Sequence, residues 1–298
     1  KFQSIYLLDS NLPQLQIKTM LYSFDQKILE IKDFKKGFLP VIIPVFIICG
    51  LIMPANLSNA LLTGATSLLL LFIGRVNFKH ILLTIGIAMI PIVIIISVAM
   101  ATHKANEGSI DSGKPVIAES LKSWGRFGTW VNRVQDFMYA KDSEEPYQVQ
   151  QAKIAIANGG IFVGLGPGNS QQRNFLPQAY NDFIYAVIIE EYGLLGGAFI
   201  IFIYLVFLFR CIRIFRKCPY AFGAFLALAL SFTLVIQAMT NMAVNVGLFP
   251  VTGVTLPLVS MGGSSFLFTC LSIGIILSVA RNVEEAEGDA ANAKAVAA

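Results

Sequence analysis

The sequence predicts an all-α integral membrane protein, with about six transmembrane helices and a large extracytoplasmic loop containing re-entrant or interfacial helices. Three observations carry that expectation. Of 298 residues, 55% are hydrophobic and only 13% charged, whereas a soluble domain carries about 25% charged residues. The apolar residues gather in blocks near the ~20 residues that cross a ~30 Å hydrocarbon core. When those blocks alternate across a bilayer, the basic residues flanking them all fall on one side, which the positive-inside rule makes cytoplasmic.

Residues 1–37 are polar, too polar to span, and are expected to be a cytoplasmic or degenerate segment. Residues 38–102 hold three apolar blocks, 38–53, 59–74 and 81–101. The first is short and contains Pro40 and Pro44, and a tight turn at Pro54-Ala55-Asn56 pairs it with the second. The third contains Pro91, which a membrane helix tolerates when neighbours re-satisfy its backbone. Residues 194–282 hold the blocks 194–215, 221–239 and 264–280, and 283–298 form a cytoplasmic tail. The basic clusters are Lys32, Lys35 and Lys36, then Arg75, Lys79 and His80, then Arg210, Arg213, Arg216 and Lys217, and finally Arg281. Residues 103–193 are then an outward loop, too long to be a passive connector.

The net charge of +4 is modest, and no basic stripe suits nucleic acid, so no nucleic-acid partner is expected. Cys49, Cys211, Cys218 and Cys270 show no zinc-ligand spacing and read as small hydrophobes.

Within the loop, two polar tracts (106–120 and 141–146) surround an aromatic and basic stretch with Trp124, Arg126, Trp130 and Arg133. An apolar run follows, broken by Gly159, Gly160, Gly164, Gly166 and Gly168. Those glycines permit close backbone approach and could form an anion-binding nest, although they make neither a GxGxxG nor a Walker loop. Ionisable groups beside apolar spans are functional candidates, and they are densest from Arg173 to Glu191. Asp182 opens an apolar helix, where spacing alone allows either a helix cap or a reactive carboxylate. Glu190 and Glu191, about two turns deeper, read equally as an interfacial pair or an internal salt bridge. Gln237, Asn241, Asn245, Thr252, Thr255, Ser260, Ser264 and Ser265 lie between two spans, and are expected to line a cavity at the outer leaflet.

The run Asn241-Met-Ala-Val-Asn-Val-Gly-Leu-Phe-Pro-Val-Thr-Gly-Val-Thr-Leu-Pro-Leu-Val-Ser-Met-Gly-Gly-Ser-Ser265 resembles the C-terminal signature of the SEDS family (shape, elongation, division and sporulation). Tyr147-Gln148-Val-Gln-Gln151, the glycine pairs, and Phe175-Leu-Pro-Gln-Ala-Tyr-Asn-Asp-Phe-Ile-Tyr185 resemble that family's external loop, in the same order. The likeness runs more loosely back to Phe38. It departs where Tyr180-Asn181 replaces His-Thr, Gln178 replaces Glu and Met261 replaces Tyr. Family members have about ten spans, so the six here would be the C-terminal ones. The stretch from Trp124 to Arg133 is closer to the division branch than to the elongation branch.

The resemblance implies a peptidoglycan glycosyltransferase that polymerises lipid II, an undecaprenyl-pyrophosphate-linked disaccharide peptide, during septal wall synthesis at the bacterial inner membrane. Its site would face the extracytoplasmic side. The family's essential Asp falls on Asp182, as general base. Arg173 and then Lys153 are candidates for the pyrophosphate, with Gln148, Gln151, Glu191, Asn241, Ser260, Ser264 and Ser265 as further substrate-binding residues. A divalent cation, magnesium or manganese, would share the charge; no metal ligand is identified, and no organic cofactor is expected. Implied partners are a class B penicillin-binding transpeptidase and other divisome proteins. Two other readings remain: a lipid II flippase, which would need charges along a transmembrane cavity, and a non-catalytic scaffold for a penicillin-binding protein.

Overall fold

The computed structural model describes residues 33–108, 126–139, 147–177 and 179–297. Expectations for residues 1–32, the tracts 109–125 and 140–146, and Gln178 lie outside the described residues, Trp124 among them. Every regular element described is helical.

A short π-helical turn, Phe34–Phe38, leads into α1 (Leu39–Ile52). Pro at the start of α1 costs no hydrogen bond, because the first N–H groups of a helix have no internal partner. The expected hairpin follows: Asn56 caps α2 (Leu57–Ile73) by accepting from Asn59 N at 3.2 Å. Phe38, Ile42, Leu71, Val76 and Ile81 close the end of the hairpin opposite that turn, where His80 packs against the rings of Phe34 and Phe38.

The long helix α3 (Phe78–Gly108) carries α4 (Arg126–Tyr139) on its far end. Val131 packs against Ile95 and Ala99, while the Gln135 amide donates to Ala99 O (2.9 Å) and Thr102 Oγ1 (2.6 Å). Next, α5 (Tyr147–Gly159) lies along α6 (Ile184–Lys217), with buried Ala152, Ala155 and Gly159 letting the two backbones approach closely. The most buried helix, α7 (Ala221–Asn245), packs against α6, α2 and α8 (Gly263–Ala297).

Four of these helices are long and apolar enough to cross a membrane: Phe78–Thr102, Ile184–Lys217, Ala221–Asn245 and Ser265–Gly288. The other two expected spans, α1 and α2, are apolar but only 14 and 17 residues long, because the turn after Ile52 ends α1 early. Two boundaries differ from expectation. α6 starts at Ile184, inside the expected loop, and α8 continues through the expected tail, tied to α6 by Lys217–Glu287 at 2.8 Å.

Candidate active site

The site is assembled around an interruption in α6. At Gly193 the backbone turns to φ 72°, ψ 179°, a conformation that only glycine adopts readily, and the helix breaks. A break strands carbonyls on one side and N–H groups on the other, and water is scarce in a bilayer to satisfy them. The glycine-rich chain after α5 does so instead. Leu165 N and Gly166 N donate to Glu190 O (2.9 Å) and Glu191 O (3.0 Å), while Leu194 N donates to Gly160 O (3.1 Å). The contact is backbone on backbone. A Cβ on Gly159 would lie 2.7 Å from Ile189 C, and one on Gly164 would lie 2.6 Å from Tyr192 N. These glycines are therefore not an anion nest, as their spacing allowed, but the filling of a broken helix.

Glu190, fully buried, fixes the next stretch. Its carboxylate accepts from Ser170 Oγ, from Asn158 Nδ2 (3.4 Å) and from Gln172 N (3.3 Å). Neutral donors thus replace the expected salt bridge, and Glu191 is left half-buried with only its backbone carbonyl engaged by this loop.

Just before α6, three consecutive carbonyls are held by α7 and the segment that follows it. Tyr180 O accepts from Met261 N (2.8 Å), Asn181 O from Ser260 Oγ (2.5 Å), and Asp182 O from both Asn241 Nδ2 and Asn245 Nδ2 (2.8 Å each). Asn245 Oδ1 also accepts from Ala186 N at 3.1 Å, in the first turn of α6. The helix is thereby capped from another helix. Asp182 is not the cap: Phe183 occupies the N-cap position, and among the described residues the Asp182 carboxylate accepts no hydrogen bond.

That carboxylate is half-buried beside Gly253, whose φ of 68° bends the chain over it. Burial pushes its pKa above the ordinary carboxylate value, and the positive charge of Arg133 opposes part of that rise. Arg133 also lines a neighbouring cavity of about 300 Å³ with Asp136, Phe137, Gln148, Lys153 and Phe249. Two cationic side chains, from α4 and α5, therefore border one hollow. Asp136, on the same rim, has its pKa raised by burial. Among the described residues no group of three or more His, Cys, Asp or Glu could hold a metal ion. Among the described residues the protein side chains alone do not build a divalent site.

Comparison with known proteins supplies the family. The model of the FtsW/RodA/SpoVE family, described as cell cycle proteins, matches residues 13–285. The chain belongs to this family, the SEDS family. A probable peptidoglycan glycosyltransferase FtsW from Geobacter metallireducens is 31% identical over 95% of this chain and 69% of its own length. Others of that description come from Trichlorobacter lovleyi (33% identical; 90% of this chain, 64% of the relative) and Bacillus subtilis (32%; 84% and 58%). The chain thus spans about two thirds of the length of such relatives. A solved chain from a peptidoglycan synthase complex that coordinates polymerisation and crosslinking shares the fold, with a TM-score of 0.57 and 21% identity over 83% of this chain and 62% of that one.

In this SEDS protein the residues singled out from sequence separate into two groups. Gln148 and Lys153 meet at the cavity, with Asp182 close by. Arg173 does not line it: it sits on the 3-10 turn Gln172–Asn174, its N–H bound to Ser170 Oγ at 3.1 Å. Gln151 and Glu191 do not line it either. Asn241 and Ser260, expected to touch substrate, use their side chains on backbone carbonyls, and Ser265 Oγ pairs with Thr255 Oγ1 at 2.9 Å. The expected polar cavity wall is mostly an internal framework, because a dry interior leaves no other partner for those carbonyls. The side chain of Ser264 is outside the described residues. Sequence reading missed Arg133 and Asp136 as cavity residues and took Arg133 only as part of an aromatic and basic stretch. Their i, i+3 spacing on an amphipathic segment was the available signal.

Proposed function

We propose that this chain carries the polymerising site of a peptidoglycan glycosyltransferase that builds glycan strands from lipid II on the outer face of the bacterial inner membrane. The observation that carries the reading is a desolvated, uncapped carboxylate, Asp182, beside a hollow bordered by Arg133 and Lys153. The acceptor sugar's 4-hydroxyl attacks the donor's anomeric carbon with inversion. The bond from that carbon to the pyrophosphate oxygen breaks, and its electron pair leaves with undecaprenyl pyrophosphate. The hydroxyl proton passes to the Asp182 carboxylate, whose raised pKa suits a general base. Arg133 and Lys153 offset the charge that grows on the leaving pyrophosphate, and this is the largest demand because the leaving group needs no protein acid. Gln148 is suited to a sugar or amide group of the substrate.

The proposed partner is a class B penicillin-binding transpeptidase, acting with other divisome proteins in septal synthesis. The peptidoglycan synthase complex that shares this fold joins polymerisation to crosslinking. The test uses the full-length protein purified with its transpeptidase and supplied with lipid II. Asp182→Asn is expected to lose roughly 10²–10⁴-fold in polymerisation, the usual contribution of a general base, while still binding lipid II. Polymerisation at the wild-type rate would sink the base assignment. Movement of lipid II across a vesicle bilayer by the same variant would favour transport instead.

A further inference from the structure

Asp182 could satisfy the start of α6 with its own side chain, as acids preceding helices commonly do. It does not, and Asn245 explains why. Asn245 and Asn241 lie one turn apart on α7, and each is only 1% exposed. Both amides converge on the Asp182 carbonyl, and Asn245 accepts from Ala186 N through its oxygen. Asn241 reaches also to Val254 O (2.6 Å), which binds the chain beside Gly253 to the same point. Asn245 is kept in place by Asn241 O at 2.9 Å.

We infer that Asn245, supported by Asn241, is a positioning residue that caps α6 from α7 and so reserves the Asp182 carboxylate for the site. This rests on the proposed role of Asp182 only for its consequence in catalysis; the positioning itself is independent of it. Removing the Asn245 amide leaves the Asp182 carbonyl with Asn241 alone and the Ala186 N–H with only its 3.1 Å bond to Phe183 O, so the start of α6 loses its tie from Asn245. The carboxylate can then turn towards the exposed helix N-terminus or towards water, and either move stabilises its charged form. The charge acting on Asp182 is that of Arg133 on α4, and Asp136 on α4 and Lys153 on α5 border the neighbouring cavity; all are unchanged by the substitution. Neither α7 nor the segment 246–262 carries a titratable side chain.

The test is carbodiimide labelling of Asp182, which requires the protonated acid, followed against pH by peptide mass spectrometry on the full chain in lipid nanodiscs. Asn245→Ala is expected to lower the labelling midpoint and cut the labelling rate near pH 6 roughly threefold to tenfold, the effect of a regained cap. Should Asn245→Ala fail to fold, Asn241→Ala removes one of the two bonds to the same carbonyl and gives a smaller shift in the same direction. Ser231→Ala is the control. Ser231 is equally buried on α7 but bonds Leu228 O, far along the helix, and the midpoint should not move. An unchanged midpoint in both asparagine variants, or an equal shift in Ser231→Ala, overturns the inference. If the midpoint shifts but the wild-type complex does not polymerise lipid II, positioning stands and the glycosyltransferase reading fails.

Discussion

Substituting Gly159 by Ala tests whether the broken helix holds the site together. The new Cβ would lie 2.7 Å from Ile189 C and 3.0 Å from Glu190 Cα, with Ile189 O nearer still, where ordinary contact begins near 3.4 Å. The obstacles are backbone atoms, so no rotamer change relieves them, and α5 must move off α6 by about 1 Å. Such a movement takes the bonds Leu165–Glu190 (2.9 Å), Gly166–Glu191 (3.0 Å) and Leu194–Gly160 (3.1 Å) beyond hydrogen-bonding reach. At about 1 kcal/mol each, the loss is about 3 kcal/mol. For a chain of this size that corresponds to a fall of roughly 6–12 °C in melting temperature. Thermal unfolding in detergent measures it, alongside lipid II polymerisation, which should fall as Lys153 moves with α5. Gly86→Ala, in α3 with open space at the Cβ, is the matched control and should melt at or slightly above wild type. If Gly159→Ala melts within about 2 °C of wild type, the backbone plug is not what closes the break.

Other consequences concern charge. The Asp182 pKa is raised in the folded protein, so folding favours its neutral form: that stability is complete below the unfolded value and is lost as pH rises through the folded one. Asp182→Asn should therefore melt higher than wild type at neutral pH, with the gap closing below about pH 4; a gap that widens on acidification contradicts the desolvation. For the same reason wild-type polymerisation should decline on acidification at a higher pH than an ordinary carboxylate dictates, which a pH–rate profile reads directly. Arg133→Ala and Lys153→Ala should each lower kcat/KM for lipid II roughly tenfold or more, as expected for a lost charge-assisted contact to the departing pyrophosphate. Arg173→Ala, away from the cavity, should change it less than about twofold, and equal effects from all three would refute the cavity as the pyrophosphate site. Glu190→Ala strands the Ser170, Asn158 and Gln172 donors and should cost about 3 kcal/mol, measurable by chemical denaturation, with Glu190→Gln milder.

Much of the molecule is legible without coordinates. The apolar blocks became α1 to α3 and α6 to α8, and the hairpin at Pro54–Asn56 formed where the proline and the Asn56 cap put it. Gly193 marked the end of the expected loop, and the structure breaks α6 there. The motif order around Asp182 sufficed to name the family. The site was less legible. Arg173 stood near Asp182 in sequence yet does not line the cavity, while Arg133, 49 positions upstream, supplied the charge.

The division follows from what each level of structure answers to. Bilayer solvation acts on every residue through local composition, so spans, their order and the acidic candidate Asp182 are determined by sequence alone. The partners of a buried polar group are chosen by which backbones lie close enough to need them, and that is settled only when helices pack. Asn241 and Asn245 read as cavity lining until α7 came against α6; then the nearest unsatisfied carbonyl was that of Asp182. Tertiary structure likewise decided that the glycines fill a broken helix and that Arg133 and Lys153 share one hollow, because both depend on contacts between segments far apart in the chain.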